Sequence, residues 1–390
     1  MFARLLMRLA VPLLARLKPV KLATTAAERE AVYRFRYRVY VEELRREIGG
    51  VDHAGRRVCD DEDERPHSHH FYVGSRERIE GIVRLRVWEP GAMPAAVADK
   101  LSLQRFGPAQ ARLRTCEVGR FMIDPRARGS LVLPAMARRT YEFLARDCGV
   151  DVSFCTCRPG LVNYYRRLGA RPYGAALVDE PEGMEVPLVS VLSDHDYFRR
   201  AGSPMAQWVH KYFGPGRRAP VDTRDFAHLF DDGEKLLVVE RGAVWRELQA
   251  ALHRPDEREP AQPGNFLDGL PAQTLQLLAA RGFVMEVPAG QLITREGHVE
   301  RELYIVLSGT VEVSRDDTPL RRLGRGDVFG EIAFFCREGR RSASVRAVEP
   351  SRIATLRRSW LDDVGRTNPA AAQAILFNLA RVLAERTAAL

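Results

Sequence analysis

The chain lacks any long hydrophobic run. In its 390 residues no segment approaches the about 18 consecutive uncharged apolar residues that a membrane-spanning helix needs. Apolar residues nevertheless make up 45% of the sequence and charged residues 28%, which is typical of globular rather than disordered chains. We therefore expect two or three domains, each with its own core, in a cytoplasmic protein.

Cysteine is scarce and shows no pairing pattern. The six cysteines are Cys59, Cys116, Cys148, Cys155, Cys157 and Cys336. Cys155 and Cys157 form a Cys-x-Cys pair without the second pair that a structural zinc site requires. We interpret all six as reduced thiols. The "HSHH" run, His67 to His70, stands between a loop and a strand, where neighbouring histidines point apart, so no metal is expected.

Acidic residues are under-represented in the first part of the chain. Residues 1–220 contain 37 Lys and Arg against 26 Asp and Glu, a net charge of +11, whereas residues 221–390 contain 23 against 25, a net charge of −2. A basic surface attracts acidic partners such as nucleic acid, anionic lipid or an acidic protein. A general arginine bias explains the excess equally well.

Residues 1–20 combine apolar and basic positions. Their longest uncharged run, Leu9 to Ala15, has seven residues and contains Pro12, which argues against a signal peptide. The leucines can share one helical face with the arginines elsewhere, a pattern typical of a helix lying on an anionic membrane at the inner leaflet. A helix docked on its own domain is the alternative.

Glycine-punctuated short strands fill the sequence from Phe266 onward. They predict a β-sandwich or barrel, closed by a helix over "NPAAAQAILFNLARVLAERT". With "GQLITREG", "LYIVLSGTVEV", "GRGDVFGE" and "GEIAFFCREGRRSAS", residues 266–390 resemble a cyclic-nucleotide-binding domain, a β jelly roll with flanking helices.

This resemblance implies a ligand pocket for a regulatory cyclic nucleotide, with cAMP expected ahead of cGMP. Glu331 would accept a hydrogen bond from the ribose 2′-hydroxyl, and the guanidinium fork of Arg341 would pair with the cyclic phosphate. Gly330 would let the backbone approach the ligand closely. The implied contact residues are Gly330, Glu331, Ile332, Ala333, Arg341, Ser342 and Ala343.

The segment from residue 21 to residue 215 alternates strand-like and helix-like patterns, which indicates an α+β domain. Four stretches in order, "RYRVYVEE", "DDEDERPHSHHFYV", "EGIVRLR" and "CEVGRF", resemble the GNAT acyltransferase fold, and within it the acyl-homoserine lactone and N-acyl amino acid synthases. The matching positions are Arg36, Asp60, Asp63, Glu117 and Arg120. For Arg36, Asp60 and Asp63 a structural salt-bridge network is as good an interpretation as a catalytic role.

The implied reaction forms an amide from a thioester. Glu117 is the candidate base for the attacking amine, and Tyr165 is the candidate acid for the departing thiolate. On a regular strand Glu117 and Arg120 would face opposite ways, so we expect a bulge at Gly119. The alternative for Glu117 is a strand carboxylate paired with Arg120 or Arg84.

The acyl donor would bind at "RARGSL", with Arg126, Arg128, Gly129 and Ser130 as candidate contacts. Leu131 replaces the final small residue of the usual coenzyme A loop. An acyl carrier protein demands less of this loop and is acidic, which suits the basic first half. Both points favour a long-chain acyl-carrier donor over acetyl-CoA, and acyl-CoA stays open as a donor.

The sequence thus predicts an α+β protein with four parts: a basic amphipathic segment (1–20), a GNAT-like domain (21–215), a linker with a helix (216–262) and a cyclic-nucleotide-binding domain (263–390). Its expected activity is cyclic-nucleotide-regulated N-acylation of an amino acid or similar small molecule. The alternative is a cAMP-regulated protein lysine acetyltransferase that uses acetyl-CoA. We expect no nucleic-acid partner, and the last helix could form a homodimer seam or cap the barrel.

Overall fold

A computed structural model describes residues 18–46, 48–174, 178–180, 183–213, 216–238, 241–252, 266–267 and 269–388. The predicted amphipathic segment (1–20) therefore lies outside the described residues except for residues 18–20. Residues 253–262, at the end of the predicted linker, also lie outside them. The chain forms two compact units: the first runs to residue 233 without 158–160 and 179–185, and the second holds those segments and the rest. The mixed helix and strand content confirms the α+β prediction.

The first unit is built on one large sheet. Its strands are β1 (Val20–Leu22), β2 (Val51–Asp52), β3 (Arg57–Val58), β4 (Ser68–Gly74), β5 (Ile79–Trp88), β6 (Thr115–Ile123), β7 (Val152–Cys157), β8 (Arg171–Pro172), β9 (Val178–Glu180) and β10 (Gly183–Val191). Its helices are α1 (Ala26–Tyr37), α2 (Ala95–Lys100), α3 (Val132–Glu142), α4 (Val162–Arg167), α5 (His195–Arg200), α6 (Ala206–Phe213) and α7 (His228–Leu236). The sheet order is β1-β4-β5-β6-β7-β10-β8, with β9 beside β10, while β2 and β3 form a separate hairpin.

Strands β6 and β7 run parallel and then separate. Their pairing covers Thr115 to Glu117 on β6 and Val152 to Phe154 on β7. Strand β6 continues to Ile123 and β7 to Cys157, so both strands extend beyond their last shared pair. The neighbouring pairs, β5 with β6 and β7 with β10, are antiparallel. The sheet therefore opens between β6 and β7.

Helices cover both faces of this sheet. Helix α1 begins with a capping box, in which Thr25 and Glu28 exchange side-chain to backbone hydrogen bonds, an arrangement that satisfies otherwise unpaired N–H groups. Helix α3 packs on the opposite face against β5. A Cβ at Gly81 would come within 2.8 Å of Val132 Cγ1, so this strand position needs glycine for the helix to approach.

The second unit contains two antiparallel sheets. Its strands are β11 (Leu237–Val238), β12 (Phe283–Val287), β13 (Leu292–Thr294), β14 (Glu302–Ser308), β15 (Val311–Arg315), β16 (Thr318–Leu323), β17 (Val328–Phe329), β18 (Ser344–Ala347) and β19 (Ser351–Arg357). Its helices are α8 (Arg241–Leu252), α9 (Ala272–Arg281), α10 (Glu331–Phe335), α11 (Arg358–Thr367) and α12 (Pro369–Ala388). The sheet orders are β11-β12-β19-β14-β17 and β13-β18-β15-β16, the two-sheet arrangement expected of the predicted jelly roll.

The core of this unit joins strands to flanking helices. Leu303, Ile305 and Ala354 from the first sheet cluster with Leu278 of α9 and Leu379 of α12. Because both helices bury apolar side chains against the sheet, their positions depend on it. Among the described residues no helix is long and apolar enough to cross a membrane.

Candidate active site and nucleotide pocket

A buried network of charged side chains lies on one face of the first sheet. Arg36 of α1, with 0% exposure, donates from Nη1 to the Asp63 carboxylate at 2.6 Å. Arg84 of β5 donates from Nη1 to Asp63 at 2.8 Å and to Asp60 at 2.8 Å. Arg120 of β6 reaches Asp60 at 2.9 Å. Four residues that the sequence analysis singled out thus meet, together with Arg84, which it assigned only as an alternative partner.

The network keeps its carboxylates ionised. Burial by itself raises the pKa of Asp63, but the Arg36 and Arg84 guanidinium groups and the Asp60 N–H lower that pKa below its usual range. Burial likewise opposes ionisation of Asp60, yet Arg84 and Arg120 lower the pKa of this residue too. A carboxylate with a lowered pKa is a weak base. Asp60 and Asp63 are therefore suited to holding positive groups in place rather than to proton transfer.

A neutral histidine completes the buried network. Burial, reinforced by the positive charge of Arg36, lowers the pKa of His70 to about 4. Its Nδ1 lies 3.1 Å from Arg36 Nη2, and its Nε2 lies 2.9 Å from the Asp63 carbonyl oxygen. This geometry fits the tautomer in which Nε2 donates to Asp63 and Nδ1 accepts from Arg36.

A β-bulge in β6 brings Arg120 into this network. Arg84 pairs with Gly119 and Ile82 with Met122, so two residues of β6 face a single residue of β5. Arg120 adopts a left-handed backbone conformation, with φ of 52°, a strained conformation that clusters at functional sites. The predicted bulge is confirmed, immediately after Gly119.

Glu117 binds a partner that the sequence analysis did not expect. Arg86 of β5 lies opposite it in the strand register and donates from Nε to Glu117 Oε2 at 2.5 Å. The expected partners were Arg120 or Arg84. Arg86 also reaches Glu62 at 3.4 Å, and a hydrogen bond from His67 lowers the pKa of Glu62. Glu117 therefore stands at the edge of the charged network, where the pairing of β6 with β7 ends.

An apolar cleft opens on the other face of the sheet, where β6 and β7 separate. It encloses about 670 Å³ including its open mouth. The lining residues are Val83, Val118, Phe121, Ala137, Thr140, Tyr141, Leu144, Ser153, Cys155, Tyr165, Leu168, Ala170, Ser190, Leu192 and Met205. Tyr165 lies here, rather than in the charged network with the other candidate catalytic residues. The mostly apolar lining of the cleft suits a hydrocarbon chain.

The candidate donor loop connects β6 to α3. The Arg126 N–H donates to the Asp124 carboxylate at 2.9 Å, and the Arg128 guanidinium pairs with Glu43 at 2.6 Å. Gly129 has a φ of 79°, and the Ser130 hydroxyl donates to the Ala127 carbonyl at 2.6 Å. Helix α3 begins without a side-chain cap from Leu131, but the Val132 N–H donates to Ser130 Oγ at 3.3 Å and Pro134 has no N–H. In the first turn this leaves at most the Leu133 N–H for an anion.

The nucleotide-pocket residues of the second unit come together around α10. Arg341, with 2% exposure, donates from Nε and Nη2 to Glu300, both at 3.1 Å, and from Nη1 to the Gly330 carbonyl at 3.2 Å. Gly330 has a φ of 83°, and a Cβ there would lie 2.9 Å from the Glu302 carbonyl oxygen as well as 2.1 Å from Arg341 Nη1, so only glycine fits. Because a guanidinium carries five N–H groups, Nη1 and Nη2 keep donors for a phosphate.

Glu331 is bound by the last helix. Arg386 of α12 donates from Nη1 to Glu331 Oε1 at 2.5 Å, and the side chains of both residues are 5% exposed. Nε and Nη2 of Arg386 are buried and have no hydrogen-bond partner among the described residues. The sequence analysis missed Arg386. The feature that could have revealed it is an arginine among the apolar positions on the buried face of the predicted final helix. Ser342 and Ala343 follow Arg341 at half-buried positions.

Comparison with known families gives one match in each part of the chain. Residues 31–192 match the model of the N-acyl amino acid synthase FeeM, and residues 284–368 match the model of the cyclic nucleotide-binding domain. The chain carries a domain of each family. The synthase match contains every residue of the charged network, and the nucleotide-binding match contains Glu331 and Arg341.

Individual relatives match part of the chain. The human voltage-gated inwardly rectifying potassium channel KCNH6 is 31% identical over 112 residues, 27% of this chain and 12% of the channel. The Pycsar effector protein BcPycTIR of Burkholderia cepacia is 29% identical over 109 residues, 28% of this chain and 36% of that protein. The chain thus spans about an eighth to about a third of the length of these relatives. The Thermus thermophilus catabolite activator protein aligns at 30% identity over 32% of this chain and 58% of that one, with a TM-score of 0.28.

No metal centre is evident in the described part of the chain, where no group of three or more His, Cys, Asp or Glu side chains could hold an ion. The three histidines of the "HSHH" run have separate surroundings. His67 contacts Glu62, His69 packs against Phe143, and His70 belongs to the buried network.

Proposed function

We propose that this protein is a GNAT-type N-acyltransferase that transfers a long-chain acyl group to the amine of an amino acid or similar small molecule, under control of a cyclic nucleotide. The observation that carries the proposal is the place of Glu117. It lies at the last residue pair before β6 and β7 separate, with the apolar cleft on one face of the sheet and the charged network on the other. An acyl chain and a polar acceptor can therefore meet at the opening.

In this mechanism Glu117 takes the proton of the attacking amine. Beyond Glu117 the N–H groups of β6 that point toward β7 have lost their strand partner, so one of them can donate to the oxyanion of the tetrahedral intermediate. Tyr165, which lines the cleft, would protonate the departing thiolate. The carbon–nitrogen bond of the amide forms as the carbon–sulfur bond of the thioester breaks.

The charged network would form the acceptor side of the site. Among its arginines, Arg120 has the most exposed side chain, at 18%, against 7% for Arg84 and 1% for Arg36. Arg120 is therefore the group best placed to bind the carboxylate of an amino acid acceptor. Arg36, Asp60 and Asp63 act through Arg120 as positioning residues. They would thus form a structural salt-bridge network and also serve the reaction by holding Arg120 in place.

The donor would be an acyl carrier protein or acyl-CoA, with the carrier favoured. Both donors carry a phosphate on the pantetheine arm, and the exposed guanidinium of Arg126, beside Gly129 and the N-terminus of α3, suits that phosphate. Arg128 is already paired with Glu43, which leaves fewer groups for the nucleotide part of coenzyme A. The net charge of +11 on residues 1–220 favours docking of an acidic carrier.

Regulation would act through the second unit, with cAMP as the expected ligand. A ribose 2′-hydroxyl that donates to Glu331 would contact the same carboxylate that Arg386 holds, and the buried Nε and Nη2 of Arg386 could donate to the ligand. Nucleotide binding would therefore change the forces on α12. A ligand shifts a conformational equilibrium only through such differential contacts.

The decisive experiment measures thiol release by the full-length protein from palmitoyl-carrier protein and from acetyl-CoA, over a pool of amino acids, with and without cAMP. We expect release from the carrier thioester that changes with cAMP, together with an N-acyl amino acid identified by mass spectrometry. Glu117→Gln should lower the rate at least about 100-fold and retain nucleotide binding. Glu77→Gln, at an exposed position of the same unit, is the matched control.

Two results would overturn the proposal. A wild-type rate from Glu117→Gln would remove Glu117 as the base. Release from acetyl-CoA alone, with acetyl groups appearing on protein lysines, would instead establish the lysine acetyltransferase alternative.

A further inference from the structure

One buried carboxylate of the second unit holds two arginines at once. Glu300, whose side chain is 5% exposed, accepts at Oε2 from Nε and Nη2 of Arg341, both at 3.1 Å. Its other oxygen, Oε1, lies 3.0 Å from Nη1 of Arg158, whose side chain is 13% exposed. Each oxygen of Glu300 therefore serves a different guanidinium, and the two pairs share a single negative charge.

The backbone fixes Glu300 next to Arg341, the candidate phosphate-binding residue. The Glu300 N–H donates to the Gly339 carbonyl at 2.8 Å, and the Arg341 N–H donates to the His298 carbonyl at 2.8 Å. The segment that carries Glu300 is thus hydrogen-bonded to the segment that carries Arg341. A ligand bound by Arg341 therefore acts on the Glu300 carboxylate at close range.

The second arginine, Arg158, is joined by a peptide bond to Cys157, the last residue of β7. Residues 158–160 nevertheless belong to the second unit. A Cβ at Gly160 would lie 2.6 Å from Glu302 Oε1, so this short segment packs closely against β14. A force on Arg158 therefore reaches the end of β7, a strand that lines the apolar cleft.

We propose that Glu300 couples nucleotide binding to the end of β7. The inference rests on the proposed regulatory function and names the residues that carry it. A cyclic phosphate bound by Arg341 adds negative charge beside Glu300, and like charges repel. The Glu300 carboxylate then shifts its interaction from Arg341 to Arg158, so nucleotide binding tightens the Glu300–Arg158 pair and holds the end of β7 more firmly. Competition of two arginines for one carboxylate is the differential contact that control by a ligand requires.

This competition predicts opposite effects of two variants on nucleotide affinity, measured by calorimetry on the full-length protein. Arg158→Gln leaves Glu300 to Arg341 alone, so we expect the Kd for cAMP to rise about fivefold or more. Glu300→Gln removes the competitor of the phosphate, so this variant should bind cAMP at least as tightly as the wild type. Arg322→Gln, which breaks an exposed pair with Glu312 in the same unit, is the matched control and should keep the wild-type Kd. An unchanged Kd in Arg158→Gln, or weaker binding by Glu300→Gln, overturns the inference.

Hydrogen exchange of the full-length protein tests the effect on β7 without turnover. In the wild type, saturating cAMP should slow amide exchange in peptides from β7 about fivefold or more. This slowing should be absent from both Arg158→Gln and Glu300→Gln. Peptides from β19 show whether each variant keeps the fold of the second unit, and if one variant does not, the other decides. A wild type whose β7 peptides do not respond to cAMP overturns the coupling.

The outcomes separate the coupling from the proposed function. A thiol-release rate that responds to cAMP in both variants as in the wild type overturns the coupling and leaves the regulated acyltransferase intact. Thiol release from no donor, with a β7 response that both variants lose, refutes the acyltransferase but supports the coupling. Failure of both cAMP and cGMP to bind the wild type refutes the regulation and the coupling together.

Discussion

Asp63 is the residue on which the charged network of the first unit depends most. Its side chain is 0% exposed and accepts hydrogen bonds from Arg36, from Arg84 and from the Asp60 N–H. Asp63→Asn keeps the size of the side chain and removes its charge. Arg84 retains Asp60 as a partner. Among the described residues, Arg36 retains uncharged partners: His70, the Val58 carbonyl and the face of the Tyr33 ring. One buried guanidinium is thus left without a counter-charge, at a cost of about 3–5 kcal/mol in unfolding free energy.

Hydrogen exchange of the full-length protein measures this loss unit by unit. In peptides from β4, β5 and β6, amide protection in Asp63→Asn should fall by about two to four powers of ten, since about 1.4 kcal/mol corresponds to one. Peptides from β14 in the second unit serve as an internal reference. Asp61→Asn, an exposed neighbour with the same chemical change, should leave protection in β4 to β6 unchanged within about fivefold.

The reasoning fails if Asp63→Asn exchanges like Asp61→Asn. A second variant separates lost charge balance from lost packing. Arg36→Met/Asp63→Leu removes both partners, and replacing a buried ion pair with apolar residues is often near neutral. We therefore expect this double variant to be more protected than Asp63→Asn. If it is as poorly protected, the loss comes from packing rather than from an unpaired charge.

Two further predictions concern proton binding and the nucleotide pocket. Because the pKa of His70 is lowered from 6.5 to about 4, between those values the unfolded chain binds a proton that the folded chain excludes. The stability that neutral His70 contributes is therefore fully present above pH 6.5 and is lost as the pH falls towards 4, by about 3 kcal/mol in all. His70→Gln should flatten the plot of unfolding free energy against pH in this range. If that plot keeps its slope in the variant, His70 is not the group that binds the proton. Arg341→Lys should weaken cAMP binding, measured by calorimetry, about 10- to 100-fold through loss of the bidentate fork, while the exposed Arg346→Lys binds normally. Equal affinities of the two variants would remove Arg341 from the pocket.

The motifs of the sequence were sufficient to predict most members of the charged network. Arg36, Asp60, Asp63 and Arg120 are polar residues at spacings that the family resemblance picks out, and they meet in the structure. Arg84 and Arg86 alternate with Val83 and Leu85, a pattern typical of a half-buried strand whose polar side faces solvent. In the structure that side is covered, and both arginines are buried against acidic side chains. Alternation along a strand shows which residues share a face, but not what covers that face.

The partners of the key charges followed from tertiary structure alone. Glu117 pairs with Arg86 because the β5–β6 register sets them opposite each other, and register depends on long-range pairing. Arg386 reaches Glu331 because α12 folds back along its unit, which joins residues 55 positions apart. Local sequence patterns carry no information about such distant neighbours.

The amino-acid sequence by itself determined that this chain combines an acyltransferase-like α+β domain with a nucleotide-binding jelly roll. Those features rest on glycine turns, strand and helix periodicity and short motifs. Such patterns are local in the sequence, so they can be recognised before the fold is known. The tertiary structure decided where β6 and β7 separate, on which face each charge lies and which side chains share the cleft. These depend on sheet order, register and one bulge, because a shift of one residue in register turns a strand's side chains to the other face.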